Sequence, residues 1–171
     1  MDLSKFIRDV PDFPKPGIVF KDITPLLASP DAFRHVIDAW AARHARTGVA
    51  KVLGIESRGF IFGVPLAARL GVGFIPARKP KKLPYKTIRA EYALEYGTDA
   101  LEIHIDAVAK GEKVLLVDDL LATGGTAAAA CRLVEELGGT VVESLFVIEL
   151  GFLKARESNM KNREIHSLLT Y

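Results

Sequence analysis

One segment narrows the possibilities for this chain more than any other: Val114–Thr126, which reads VLLVDDLLATGGT. The short, nearly continuous apolar run Lys113–Val117 is expected to be a strand buried on both faces, ending in the adjacent carboxylates Asp118 and Asp119. Thr123-Gly124-Gly125-Thr126 then leads into a helix marked by Ala130, Leu133, Val134 and Leu137 and stopped by Gly138-Gly139. The two glycines let the backbone approach a ligand closely. Free N–H groups at a helix start favour a phosphate, and Thr123 and Thr126 add hydroxyl donors. Two carboxylates beside an anion cradle suit a sugar phosphate, whose hydroxyls donate to the acids while the loop holds the phosphate. Taken singly, aspartates can merely end a strand and glycines merely make a turn. A plain turn rarely needs all these parts together.

The rest of the chain supplies an α/β frame. Phe33, Val36, Ile37, Trp40 and Ala41 mark one helix face, with Ser29 as N-cap and Pro30 at the first helical position. Lys51–Glu56 reads as a strand, followed by a helix whose apolar face is Phe60, Val64, Ala67 and Ala68, closed by Gly71. Further strands are expected at Val72–Arg78, Tyr92–Glu102, Val141–Leu150 and Glu164–Leu169. Arg78–Arg89 (RKPKKLPYKTIR) lacks a period and reads as a loop. Pro11–Thr24 has three prolines and a glycine, which exclude a regular helix or a central strand. Alternating strands and helices imply a mostly parallel sheet in a single domain over 1–171. In such folds ligands sit beyond the carboxyl ends of the strands.

Composition removes other classes. At 171 residues and 49% hydrophobic, the chain is long enough to bury a core without disulfides. Its lone cysteine, Cys131, excludes an internal disulfide and a cysteine zinc cage. With 23 basic and 21 acidic residues, a nucleic-acid partner is not expected. The longest apolar run, Gly59–Ala68, contains a proline and falls short of the roughly 20 residues that cross a bilayer. The beginning of the chain lacks a signal-peptide pattern, so a cytoplasmic location and no membrane partner are expected. The four histidines are scattered without metal-ligand spacing, and Cys131 reads as packing. No GxxxxGK[ST] occurs, and Gly71-Val72-Gly73 lacks the third glycine of a dinucleotide fingerprint.

The Val114–Thr126 segment resembles the phosphoribosyl-pyrophosphate (PRPP) motif of the type I purine/pyrimidine phosphoribosyltransferase family. Pro11–Pro25 (PDFPKPGIVFKDITP), Glu56–Gly63 (ESRGFIFG), Arg78–Pro84 (RKPKKLP) and Glu91–Gly97 (EYALEYG) are similar to its adenine-specific members, in the same order. The resemblance covers most of the chain from Pro11 to about Leu150. It implies transfer of the phosphoribosyl group of PRPP to adenine, giving AMP and pyrophosphate in purine salvage. It assigns Tyr96, Asp118, Asp119, Ala122, Thr123, Gly124, Gly125 and Thr126 to the ribose 5-phosphate. Ser57, Arg58, Arg78, Lys79 and Lys82 are assigned to the pyrophosphate, the matching Glu56–Gly59 turn often containing a strained or cis peptide. Residues 1–25 become a hood in which Phe20 stacks on the base, the Val19 backbone reads its edge, and Lys21 lies nearby. Residues 79–98 become a mobile catalytic loop. Glu95 manages the proton of the purine imidazole and, with Arg58, is catalytic.

Mg²⁺ is implied as the cofactor, held mainly by PRPP, with Asp118 and Asp119 at best occasional or outer-sphere ligands and no protein metal site. A homodimer is implied as well. Three rivals are a phosphoribosyltransferase for a 6-oxo purine, a PRPP-sensing regulator, and a receiver-type signalling domain built on Asp118. The hood and Glu91–Gly97 argue against the first. The second usually carries an added DNA-binding domain, for which no room is seen before the hood. The third needs an early acidic pair and a later strand-end lysine, neither of which is evident.

Overall fold

The computed structural model describes residues 1–93 and 97–171. The short strands β1 (Arg8–Pro11) and β2 (Val19–Asp22) pair antiparallel as a separate N-terminal ribbon. Helices α1 (Thr24–Ala28) and α2 (Pro30–His44) follow, and the Ser29 hydroxyl accepts from the Ala32 N–H at 3.3 Å, the expected cap. Next come β3 (Lys51–Ile55), α3 (Arg58–Leu70) and β4 (Gly73–Ala77). The hairpin strands β5 (Thr87–Ala93) and β6 (Thr98–His104) precede β7 (Lys113–Leu121), α4 (Gly125–Glu136), β8 (Thr140–Glu149) and β9 (Ile165–Thr170). Five strands form one parallel sheet in the order β4-β3-β7-β8-β9.

Strand alternation divides the core in two. Leu53, Ile55, Val114, Leu116 and Phe146 face α4 and the β5–β6 hairpin. Val52, Leu115, Val117, Leu145 and Val147 face α1, α2 and α3. Burial on both faces explains why β3 and β7 read as apolar runs rather than alternating ones.

Three sequence expectations are corrected. The buried face of α3 is Gly59, Phe62, Gly63, Leu66 and Ala67, while Val64 and Ala68 are exposed and Phe60 is half-buried. Close packing is the reason: a Cβ on Gly63 would stand 2.8 Å from the Phe74 ring, so the helix buries its glycines where a hydropathy pattern looks for large side chains. Second, Tyr92–Glu102 is not one strand, and Thr87–Arg89 is not loop. Both belong to the β5–β6 hairpin, with Thr87 opposite His104 and Ala93 opposite Thr98. Third, β7 does not stop at its aspartates but continues to Leu121, because β8 runs beside it as far as Glu149.

At the opposite end of the sheet from the glycine turn, Glu143 is buried. It accepts from Arg43 through both oxygens at 2.6 Å and lies 2.9 Å from His44 Nε2. Burial works to raise the Glu143 carboxyl, but Arg43 and His44 hold it below its ordinary value. Burial pushes both His44 and His166 down. A histidine depressed in the folded chain takes its proton first in the unfolded chain, so its stabilisation is complete above about pH 6.5 and declines below it. The urea midpoint is therefore expected to fall between pH 7.5 and pH 5.5. His44→Gln, which keeps a donor for Glu143, should flatten that fall; an unchanged slope would remove His44 from the effect.

Candidate active site

The first turn of α3 lies directly against the carboxyl end of β7. A Cβ on Gly59 would stand 2.6 Å from the Val117 carbonyl oxygen and 3.1 Å from Asp118 Oδ1, so only glycine permits this approach. The contact brings Arg58 onto Asp119, with Nε 2.5 Å from Oδ2. The same guanidinium lies 5.8 Å from the centre of the Phe20 ring in the N-terminal ribbon. Phe20 in turn meets Phe13 edge-on at 5.2 Å. One arginine thus joins the ribbon, the α3 turn and the acidic pair. The Glu56–Ser57 peptide bond is cis, one of the two forms that the family resemblance implies for this turn.

Asp119 is buried, and Asp118 accepts from the Asp119 N–H at 2.9 Å. Burial, then the neighbouring charge of Asp119, pushes the Asp118 carboxyl well above the usual carboxylate range. Beyond them Asp118 and Leu120–Ala127 line a small cleft of about 80 Å³. Gly124, with φ of +82°, caps α4, and no side chain caps the helix. Its first N–H groups have no intrahelical partner, which is the condition for an anion cradle.

Arg78 and Lys79 follow β4. The Arg78 guanidinium grips Glu56 through Nε at 3.2 Å and through a terminal nitrogen at 3.0 Å, and it also donates to the Lys82 carbonyl at 2.9 Å. The Lys79 N–H donates to Glu56 at 3.0 Å, while its ammonium pairs with Asp99 and donates to the Tyr92 hydroxyl at 2.7 Å. Arg78, outweighing burial and helped by the Lys79 N–H, holds the Glu56 carboxyl below its ordinary value, and Lys79 does the same for Asp99. Lys82 and Ser57 are exposed.

On the ribbon, Val19 is exposed and lines a broad cleft of about 990 Å³ with Ile18, Thr123, Leu153 and Tyr171. Lys21 reaches this cleft but is held by Asp9 at 2.7 Å and by the Tyr171 ring, whose centre is 3.9 Å from Nζ. Glu95 and Tyr96 lie outside the described residues. No cluster of three or more His, Cys, Asp or Glu suited to a metal ion occurs among the described residues. No helix among them is long and apolar enough to cross a membrane.

Several residues at the site carried no readable signal. Glu56 and Asp99 hold the two cations, and Asn159 donates to the Thr123 carbonyl at 2.8 Å. Glu56 stands inside a quoted motif, but nothing in its spacing links it to Arg78. Gly59→Ala is expected to cost about 1–3 kcal/mol of stability by overpacking, read as a lowered denaturant midpoint. A midpoint equal to that of the parent chain would show that the joint has slack.

Residues 23–166 match the phosphoribosyl transferase domain. The chain is 59% identical over 165 residues to the adenine phosphoribosyltransferase of Anaeromyxobacter sp. (strain Fw109-5), covering 96% of this chain and 93% of that protein. It is 54% identical to the Thermotoga petrophila adenine phosphoribosyltransferase over 171 residues, all of both chains. The crystal structure of adenine phosphoribosyltransferase from Thermoanaerobacter pseudethanolicus is similar with a TM-score of 0.95 and 51% identity, over 99% of this chain and 98% of that one. The Saccharomyces cerevisiae adenine phosphoribosyltransferase, solved with an imino-altritol bisphosphate and adenine, gives a TM-score of 0.93 at 42% identity, over 98% and 97%. With a domain match over most of its length and relatives of more than half identity end to end, the chain belongs to the phosphoribosyl transferase family.

Proposed function

We propose that the chain transfers the 5-phosphoribosyl group of PRPP to adenine, releasing pyrophosphate and forming AMP. The observation that carries this reading is the single position of Arg58, against Asp119 on one side and Phe20 on the other. A base stacked on Phe20, a ribose on Asp118 and Asp119, and a pyrophosphate at the Glu56–Gly59 turn then share one cleft. Full-length relatives named adenine phosphoribosyltransferase support the choice of base.

In this reading the purine N9 lone pair forms a bond to C1′ as the bond from C1′ to the pyrophosphate oxygen breaks. The N9 proton passes to the Glu95 carboxylate, and the electron pair of the broken bond leaves on pyrophosphate. Arg58, Arg78, Lys79 and Lys82 surround the leaving group, where positive charge is most effective in a site closed to water. Phosphate is held by Ala122, Thr123, Gly124, Gly125 and Thr126, with Tyr96 over it. The Val19 backbone reads the 6-amino edge; a 6-oxo purine presents an acceptor there and leaves buried groups unpaired.

Mg²⁺ suits this donor set as a substrate-borne ion. Asp119 is already engaged by Arg58, so the ion would be held mainly by PRPP oxygens and waters, with Asp118 and Asp119 at best occasional or outer-sphere ligands. The ion adds charge neutralisation at the pyrophosphate. A second copy of the chain is the proposed partner, seated on the outward side of α3. Ile61 and Val64 are apolar yet 39% and 49% exposed there. A cytoplasmic setting goes with this reading.

Incubation with PRPP and Mg²⁺ against adenine, hypoxanthine and guanine tests the reaction. AMP from adenine alone is expected, and product from an oxo-purine alone would overturn the role of Val19. Glu95→Gln should lower kcat by about 100-fold, the lower end of general-base effects, with little change in the adenine KM. Equal turnover would remove Glu95 from the chemistry. Replacing Asp118 and Asp119 together by alanine should raise the PRPP KM about 10- to 100-fold, because both ribose acceptors are lost. An unchanged PRPP KM would refute the ribose role.

A further inference from the structure

The segment between β8 and β9 contains two short 3-10 turns, Gly151–Leu153 and Ala155–Glu157, and then Asn159 and Met160. It is fastened at its base by Glu149, which is buried at the end of β8. Arg156 donates to both Glu149 oxygens, at 2.7 and 2.8 Å, and the Ser167 hydroxyl donates to one of them at 2.7 Å. Ala155 and Met160 are both buried. From this anchored segment Asn159 reaches across and donates from Nδ2 to the Thr123 carbonyl at 2.8 Å. A Cβ on Gly124 would stand 2.8 Å from Met160 Cγ, 3.2 Å from Ala155 Cβ and 3.5 Å from Asn159 Cβ. The back of the glycine turn is therefore pressed against this segment.

We propose that Asn159 is a positioning residue for the phosphate end of PRPP: it fixes the Thr123–Gly124 peptide unit so that the Gly124 N–H points into the phosphate cleft. The geometry is elementary. In a trans peptide the C=O and the following N–H point to opposite sides of one plane. Drawing the Thr123 oxygen towards Asn159 turns the Gly124 N–H away from it, towards the turn's open side, where Asp118 and Leu120–Ala127 line the cleft. Without the amide donor, that peptide plane is free to rotate, because glycine after it imposes little restraint. The cradle then loses a preset donor before the ligand arrives. The anchor at Glu149 and Arg156 keeps Asn159 from following the loop.

This inference rests on the assignment of the Ala122–Thr126 turn to the 5′-phosphate, and the test separates the two. Ribose 5-phosphate carries that phosphate without the pyrophosphate, and its binding is measured by calorimetry beside that of pyrophosphate. Asn159→Leu, of similar shape but without a donor, should weaken ribose 5-phosphate binding about three- to tenfold, as for one net hydrogen bond. The PRPP KM should rise by a similar factor, while pyrophosphate binding, the adenine KM and kcat stay within about twofold. Asn159→Ala repeats the measurement should the leucine disturb folding. Thr126→Ala, inside the cradle itself, is the control. If Thr126→Ala weakens ribose 5-phosphate and the Asn159 variants do not, the proposal fails and the phosphate assignment stands. If neither substitution changes it, both fall. A parallel drop in all constants for the Asn159 variants would show general support of the fold rather than aim at the phosphate, and would also overturn the proposal.

Discussion

The joint between the first turn of α3 and the end of β7 is the contact on which the rest of the site depends. It exists because Gly59 has no Cβ to strike the Val117 carbonyl. Gly54 and Gly63 extend the same close approach around the Phe74 ring. A helix brought this near to the sheet delivers Arg58 to Asp119 and leaves its guanidinium beneath Phe20. Three segments that are remote in the chain thereby share one charge, which in the proposed reaction groups the contacts for base, sugar and pyrophosphate.

The cations of the site are held in place by carboxylates of the chain itself. Arg58 rests on Asp119, Arg78 on Glu56 and Lys79 on Asp99. All three cationic side chains are partly exposed, and pairs open to solvent stabilise a fold by little. Their value lies in orientation. A guanidinium parked in a bidentate fork loses less freedom when it turns to a phosphate than one that begins in solvent. The glycine turn before α4 is arranged by other means: a helix start without a side-chain cap, and a turn backed by Met160 and Asn159.

Much of this was legible in the chain itself. The α2 cap at Ser29-Pro30, the strands at Lys51 and Lys113, and the glycine turn into α4 follow from local rules, and local rules held there because burial on both faces leaves a continuous apolar run. Elsewhere they failed for identifiable reasons. Val64 and Ala68 fit a helical stripe, yet the core took the glycine side of α3, since closeness of approach outweighed side-chain size. The β5–β6 hairpin was hidden because its polar residues face outwards beside a run of lysines and prolines. The last twenty residues gave no motif, although Asn159 and Met160 back the turn that carries the most diagnostic one.

The sequence by itself determined the α/β class, the glycine turn with its acidic pair, and the order of the segments that resemble those of the family. Each of these is written in residues a few positions apart, where spacing and residue type are enough. The tertiary structure decided which cation meets which carboxylate, which face of α3 is buried, and what stands behind Thr123 and Gly124. The contacts at the cations and behind the turn join residues 20 to 61 positions apart: Asp99 lies 20 residues from Lys79, Asn159 is 36 from Thr123, and Asp119 is 61 from Arg58. No local pattern encodes such pairings. They arise only when a glycine-lined helix settles on a parallel sheet and draws the ends of its strands together.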